Sequence, residues 1–327
     1  MKSLRWVGGL VKAVATSLLC SLAASAPLLA QSTTGSPPPW AYPLNLPEML
    51  QAPDGDLPLT VPHSDRSFLR PQVTDRFSVP DWHPEEHPAL PEVISHGQKP
   101  EVFACGYCHM PDGSGRPENA SLAGLPVGYI KEQLADFRSG ARKTAVPERN
   151  PVVSMISLAR GMTAAQTETA SKYFSRLRRH NRTDVLETDT VPVTYATGWF
   201  LTVAPSAKSE PIGQRIIEIP EVLEQFERRD TRARFLAYVP PGSIKAGRAL
   251  VRSGGPLACA SCHGTDLNGR GLVPGIAGRS PSYIVRQLYD IQTGARDGAG
   301  VTPMKAVVKN LNLSNMISIA AYLVSLN

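Results

Sequence analysis

"VFACGYCHMPDGSG" spans Val102–Gly115 and "LACASCHGTDLNGRG" spans Leu257–Gly271; each holds two cysteines two residues apart with a histidine directly behind the second. With 5 Cys and 7 His in 327 residues, chance supplies one such pentapeptide on the order of once per thousand chains of this composition. Two copies mark a built feature. The likeness extends well beyond the cysteines. Setting Cys105 on Cys259 also sets His109 on His263, Asp112 on Asp266, Gly115 on Gly269 and Arg116 on Arg270. "LAG" at 122–124 then falls on "IAG" at 276–278, and "GYIKEQLADFRSGAR" on "SYIVRQLYDIQTGAR" without a gap. The chain contains an internal duplication.

Both longer strings read as helices. Ser280 is placed to cap the second, Pro281 sits where its missing N–H costs nothing, and Gly294 supplies the stop. Tyr283, Ile284, Gln287, Leu288 and Ile291 recur at helical spacing, as do Tyr129, Ile130, Gln133, Leu134 and Phe137 ahead of Gly140. Each copy closes with an amphipathic helix. Thr163 with Gln166 forms a capping box at the start of one, and Asn312 caps the other, which brings Tyr173 and Tyr322 to equivalent places. A loop of different length separates the middle and final helices.

A Cys-x-x-Cys-His stretch is the signature of covalent haem c attachment. Two thiols three positions apart can both add to the vinyl groups of one porphyrin, and the next residue carries an imidazole under the ring as an iron ligand. Cys105, Cys108, Cys259 and Cys262 are thus expected thioether donors to two haem c groups, with His109 and His263 as iron ligands. Two disulfides would use the same cysteines but leave both histidines unexplained. A redox dithiol needs a βαβ setting, and a zinc site needs four converging ligands. Counting back equally from Tyr322 and Tyr173 reaches Met304 and Met155, each ahead of the last helix. These are the expected sixth ligands, with His96 or His180 as competitors at the first iron. Met162, Met316 and Met110 fail the symmetry or the reach and read as packing.

These residues resemble a dihaem class I cytochrome c of the cytochrome c4 type. The resemblance covers roughly residues 95–180 and 240–327. It implies a mainly α fold of two tandem class I cytochrome c domains that pass single electrons. It also implies a proline carbonyl holding the proximal imidazole, a place that Pro274 fills and Ala120 takes in the first copy.

The remaining segments complete a division into 1–30, 31–95, 96–180, 181–240 and 241–327. The first, with Lys2, Arg5 and Lys12 ahead of an apolar run ending in small residues, reads as a secretory signal, too short for a comfortable membrane span and cleaved after Ala30. Cys20 goes with it. Residues 31–95 form a proline-dense leader expected to drape over the domains or dock a partner, in which "DWHPEEHP" reads as a solvated turn holding His83 and His87. Residues 181–240 read as a small β-containing insert that braces the two domains, with strands at "VPVTY", "WFLTV" and "QRIIEI". The formal net charge is +6, but three positives lie in the signal and each haem adds two propionates. No basic run with interleaved aromatics supports nucleic-acid binding. The expected function is periplasmic electron transfer from a donor dehydrogenase or membrane complex to an oxidase. The rivals are a dihaem peroxidase, which needs an open sixth position, and a cytochrome subunit bound to a periplasmic dehydrogenase.

Overall fold

A computed structural model describes residues 35–45, 57–206, 208–253 and 258–326. The signal, its cleavage point, Cys20 and parts of the leader lie outside the described residues. Two apolar cores organise the described chain, and each is built around one copy of the repeat. Val93, Ile94, Ile130, Leu134, Phe137, Tyr173 and Phe174 belong to the first core. Ile284, Leu288, Ile291, Ile317, Ala320 and Ala321 belong to the second, which also takes in Ile217, Ile219 and Val239 from the insert.

The helices follow the caps in the sequence. In the leader, α1 is Arg70–Thr74 and α2 is Glu92–Ser95. The first copy then forms α3 at Cys105–His109, α4 at Val127–Ser139, α5 at Asn150–Gly161 and α6 at Ala164–Arg176. After α7, Leu223–Glu227, come α8 at Ser243–Ser253, α9 at Cys259–His263, α10 at Pro281–Gln292, α11 at Thr302–Val308 and α12 at Leu313–Val324. Gln166 N donates to the Thr163 hydroxyl, and the Asn312 side chain accepts from Asn315 N, as the boxes require. Gly140 ends α4 with a φ of 79°, which a residue carrying a Cβ rarely adopts.

The structure departs from the sequence expectation in the variable loop. It is helical in both copies: Met155 sits inside the 12-residue α5 and Met304 in the first turns of α11. Pro151 and Pro303, each early in its helix, look like loop residues but are tolerated there, because a first-turn N–H has no intrahelical acceptor. α8 is a further helix that the sequence reading passes over. It crosses α12 so closely that a Cβ on Gly247 would run into the backbone carbonyl of Ser318.

In the insert, β1 (Thr183–Glu187), β2 (Thr190–Pro192), β3 (Thr194–Thr197), β4 (Phe200–Val203), β5 (Ser209–Pro211), β6 (Ile217–Pro220) and β7 (Phe235–Val239) form small sheets. The largest has the order β1-β7-β6, with β1 parallel and β6 antiparallel to β7. β6 is buried along its whole length. Its Glu218 accepts from the Ser280 hydroxyl at 2.7 Å and from Ser282 N at 3.2 Å, a carboxylate set at the start of α10 where the helix dipole favours it. The insert is thereby fastened to the second copy.

Its other end meets the leader. Trp82 Nε1 donates to the Arg228 carbonyl at 2.7 Å, and His83 Nε2 lies 3.0 Å from Asp230 Oδ1 with both side chains buried. Arg232 bonds Glu86 at 2.7 Å. His83 is therefore not in a solvated turn, and its partner, 147 residues away, could not be read from the local sequence. The leader carries a small core of its own from Leu59, Val61, Val73 and Trp82. Farther toward the N-terminus, Trp40, Ala41 and Tyr42 are buried in the core of the second copy.

Gly247→Ala is expected to destabilise the chain by about 2 kcal/mol, since a methyl group there must push α8 off α12. Thermal unfolding of the purified protein measures this as a lowered midpoint.

Candidate functional site

Each pentapeptide folds as a single helical turn, α3 or α9, entered from an alanine in extended geometry. None of these four cysteines is in a disulfide. Burial pushes the Cys105 thiol up to about 12 and also raises Cys108 and Cys259, so these groups are protonated at neutral pH. His109 Nδ1 lies 2.8 Å from the carbonyl oxygen of Ala120, and His263 Nδ1 lies 2.7 Å from that of Pro274. Burial holds both imidazoles below their usual range. A neutral ring that donates from Nδ1 to a carbonyl keeps its Nε2 lone pair free for a metal. Loss of the proline at Ala120 does not remove the bond, because the backbone carbonyl supplies it.

His109 and Met155 line one cavity that is partly open to solvent. Leu125, Ile130, Leu134 and Phe137 give it an apolar wall, while Arg142, Lys143, Arg149 and Arg286 supply cations. Arg149 is only 2% exposed, and its Nε has no partner among the described residues. Burial holds this guanidinium down at about 9. Glu118 and Asp290 share the lining and partly offset these charges. A buried guanidinium with an unbonded Nε, beside an apolar wall, an imidazole and a thioether, fits a flat apolar macrocycle with anionic arms. In the second copy, Cys259 and Met304 both pack against the same core, together with Leu267, Val301 and Val308. The residues at the first place therefore fit haem c, and the second copy repeats their types in Cys259, Cys262, His263 and Met304.

The rival histidines are elsewhere. The His96 side chain is 57% exposed, and His180 lines a separate polar cavity with Arg116, Glu218 and Asp230. Met162 and Met316 are buried in the two cores, as packing residues.

Between the copies lies a polar junction that repeats the pseudosymmetry of the sequence. Arg142 donates to Gln133 Oε1 at 2.9 Å, to Gln287 Oε1 at 2.9 Å and to the Tyr283 hydroxyl at 3.0 Å. Arg296, its counterpart, donates to Gln287 Oε1 at 3.0 Å, to Gln133 Oε1 at 2.8 Å and to the Tyr129 hydroxyl at 2.9 Å. Lys143 N to Ala295 O and Asp297 N to Ala141 O, both 2.7 Å, join the backbones. Burial alone would raise the Tyr283 phenol, but the Arg142 and Arg296 guanidiniums hold it below its usual range. The sequence reading places Tyr129, Gln133, Tyr283 and Gln287 on the interior faces of their helices. It misses Arg142 and Arg296, although both lie in the aligned "GAR" triplets.

No family model matches the chain. The thiosulfate dehydrogenase electron acceptor of Thiomonas intermedia is 26% identical to it over 232 residues, which are 68% of this chain and 79% of that protein. Cytochrome c4 of Azotobacter vinelandii is 23% identical over 246 residues, 69% of this chain and 86% of that protein. Among solved structures, a thiosulfate dehydrogenase from Marichromatium purpuratum aligns with a TM-score of 0.46 at 27% identity, over 70% of this chain. The chain spans 38% of the length of that protein.

Arg296→Leu leaves Gln133, Gln287 and Tyr129 short of a donor inside the junction. The expected cost is about 2 to 4 kcal/mol. Denaturant unfolding of the holoprotein checks it, with the exposed Arg160→Leu expected to change stability by less than about 0.5 kcal/mol.

Proposed function

We propose that this chain is a cytochrome c4-like protein that transfers electrons, and that it does so with two covalently attached haem c groups held in separate domains, 96–180 and 241–327. Cys105 and Cys108 carry one group, and Cys259 and Cys262 the other. His109 with Met155 would hold one iron, and His263 with Met304 the other. When bound, the haem iron supplies a one-electron couple. The protein's part is to orient, bury and tune. The Ala120 and Pro274 carbonyls fix the imidazole tautomers, the thioethers favour the reduced iron, and the apolar walls keep water away.

The observation that carries this reading is that His109 and Met155 line the same cavity, beside a buried Arg149 whose Nε has no hydrogen-bond partner among the described residues. Two protein donors available to one iron favour an electron carrier over a peroxidase, which would need one position left open. The chain is an electron carrier rather than an enzyme in its own right. A periplasmic location follows from the signal-like first 30 residues, and among the described residues no helix is long and apolar enough to cross a membrane. The partners are redox proteins: a dehydrogenase or membrane complex as donor and an oxidase as acceptor. The resemblance to electron acceptors of thiosulfate dehydrogenase supports a dehydrogenase as donor, and copurification from a native extract separates a free shuttle from a bound subunit.

The ferric spectrum tests the assignment through the weak far-red band that methionine sulfur gives on ferric iron. The expected intensity, calibrated per haem, is that of two such bonds, with about half lost in Met155→Ala and about half in Met304→Ala. One bond or none in the unaltered protein, with a high-spin haem that reacts with peroxide, makes the chain an enzyme instead.

A further inference from the structure

The duplication provides an internal control, because any difference between equivalent residues comes from what the rest of the chain lays over them. At the first motif, Ala104 N donates to the Arg76 carbonyl at 2.9 Å, and the Tyr107 hydroxyl donates to the Thr74 carbonyl at 3.3 Å. A Cβ on Gly106 would lie 3.2 Å from Val79 and 3.0 Å from the carbonyl of Ile94. From the insert, Arg229 donates to the Tyr107 carbonyl at 2.7 Å and stacks 3.5 Å from its ring centre. The same two segments are clasped to each other through Trp82–Arg228, His83–Asp230 and Glu86–Arg232. Leader and insert together close the outer face of α3.

Among the described residues the second motif has no such cover. Tyr107 is 8% exposed, whereas Ser261 at the equivalent place is exposed; Cys108 is partly buried, whereas Cys262 is exposed. Arg116 lies 3.7 Å over the ring of Phe226 and pairs with Glu118 at 2.8 Å, while its counterpart Arg270 is exposed. The open face is also basic. Lys245, Arg248 and Arg252 fall at i, i+3 and i+7 on one side of α8, and all three are exposed. Arg252 reaches the carbonyl of Thr265, just beyond His263, and the short hairpin of β8 (Gly269–Arg270) and β9 (Val273–Pro274) packs on α9. Among the described residues none of these four cations forms an ion pair. The acid among them, Asp266, is engaged by Asn268 N at 3.1 Å and Asn268 Nδ2 at 3.0 Å.

We propose that the face around Ser261 and Cys262, rimmed by Lys245, Arg248, Arg252 and Arg270, is the docking surface for an acidic one-electron redox protein, and that leader and insert deny the equivalent face of the first copy to it. The inference rests on the electron-carrier reading. Four cations against the single carboxylate of Asp266 leave this face net positive, which steers an acidic partner and holds it in register. The insert and leader thus make two like domains unequal: one faces partners and the other faces inward.

The test uses the isotope-labelled, reduced holoprotein with an acidic plastocyanin as the probe. Haem content is read first by mass and pyridine haemochrome; a chain that takes up no haem under maturation sinks the electron-carrier reading itself. With haem present, plastocyanin is expected to shift amide resonances of 245–253, 261–263 and 269–272 saturably at low salt, and to leave 104–109 unmoved. The double variant Arg248→Glu with Arg270→Glu, both at exposed sites, is expected to slow bimolecular electron transfer to oxidised plastocyanin by about tenfold or more. Its spectrum and unfolding midpoint should stay as in the parent. A footprint on 104–109, no saturable footprint, or an unaltered rate in the double variant overturns the proposal.

Discussion

Two guanidiniums at the centre of the molecule set the geometry on which the rest depends. Arg142 and Arg296 each bond groups from both copies of the repeat, and their acceptors are amide and phenol oxygens rather than carboxylates. A planar guanidinium presents its donors in a fixed fork, so a network satisfied from both sides allows one relative placement of α4 and α10. Because an orphaned donor or acceptor there costs far more than an average hydrogen bond contributes, the junction specifies geometry more than it adds stability. The His109–Met155 cavity borrows part of its wall, Tyr283, Arg286 and Gln287, from the other copy. The first site is therefore complete only when the junction is made.

The segments outside the repeat act on this pair unequally. Glu218 ties the insert to α10, and Tyr42 of the leader donates to Asp290 at 2.8 Å on the same helix. At the other end the clasp centred on His83 and Asp230 leans on α3. A buried histidine and carboxylate carry a desolvation cost that only close mutual bonding offsets, so this contact cannot loosen by degrees. A chain with 30 prolines gains here from stiffness, since prolines already fixed near their native φ lose less entropy when the leader settles onto the surface.

How much of this was legible in the sequence depended on whether the controlling contacts were local or repeated. Helix ends were legible, because Thr163, Asn312, Ser280 and Gly140 act on their own first or last turn. The proximal bonds were expected from the family resemblance, which points to Pro274 and, at the equivalent place, Ala120. By contrast, α8 carries Gly247 near its middle, a weak helix former kept because α12 passes close by, and that reason lies some 70 residues away. β1 and β7 went unread because "TDVLE" and "FLAYV" do not alternate cleanly, and their pairing spans the whole insert. α5 and α11 open with Asn150-Pro151 and Thr302-Pro303, which locally favour a turn as readily as a helix start.

The charge pattern of the first cavity links site to folding. Arg142, Arg149 and Arg286 converge there with the carboxylates of Glu118 and Asp290, and burial pushes Asp290 toward its protonated form. Desolvation lowers Arg149 and Arg286 as well, so the cavity carries cations at a cost that internal partners only partly offset. A haem fixed covalently to Cys105 and Cys108 would stay on the unfolded chain as well, so it would offset that cost only through the contacts that its anionic arms and apolar ring make in the folded state. Seating of such a group and assembly of the junction would then be coupled, because the arginines facing the cavity are rooted in the elements that hold the copies together. The same argument explains why the second motif can stand open. Its cations line the outer surface, where water already solvates them, and they remain free to meet a partner's carboxylates.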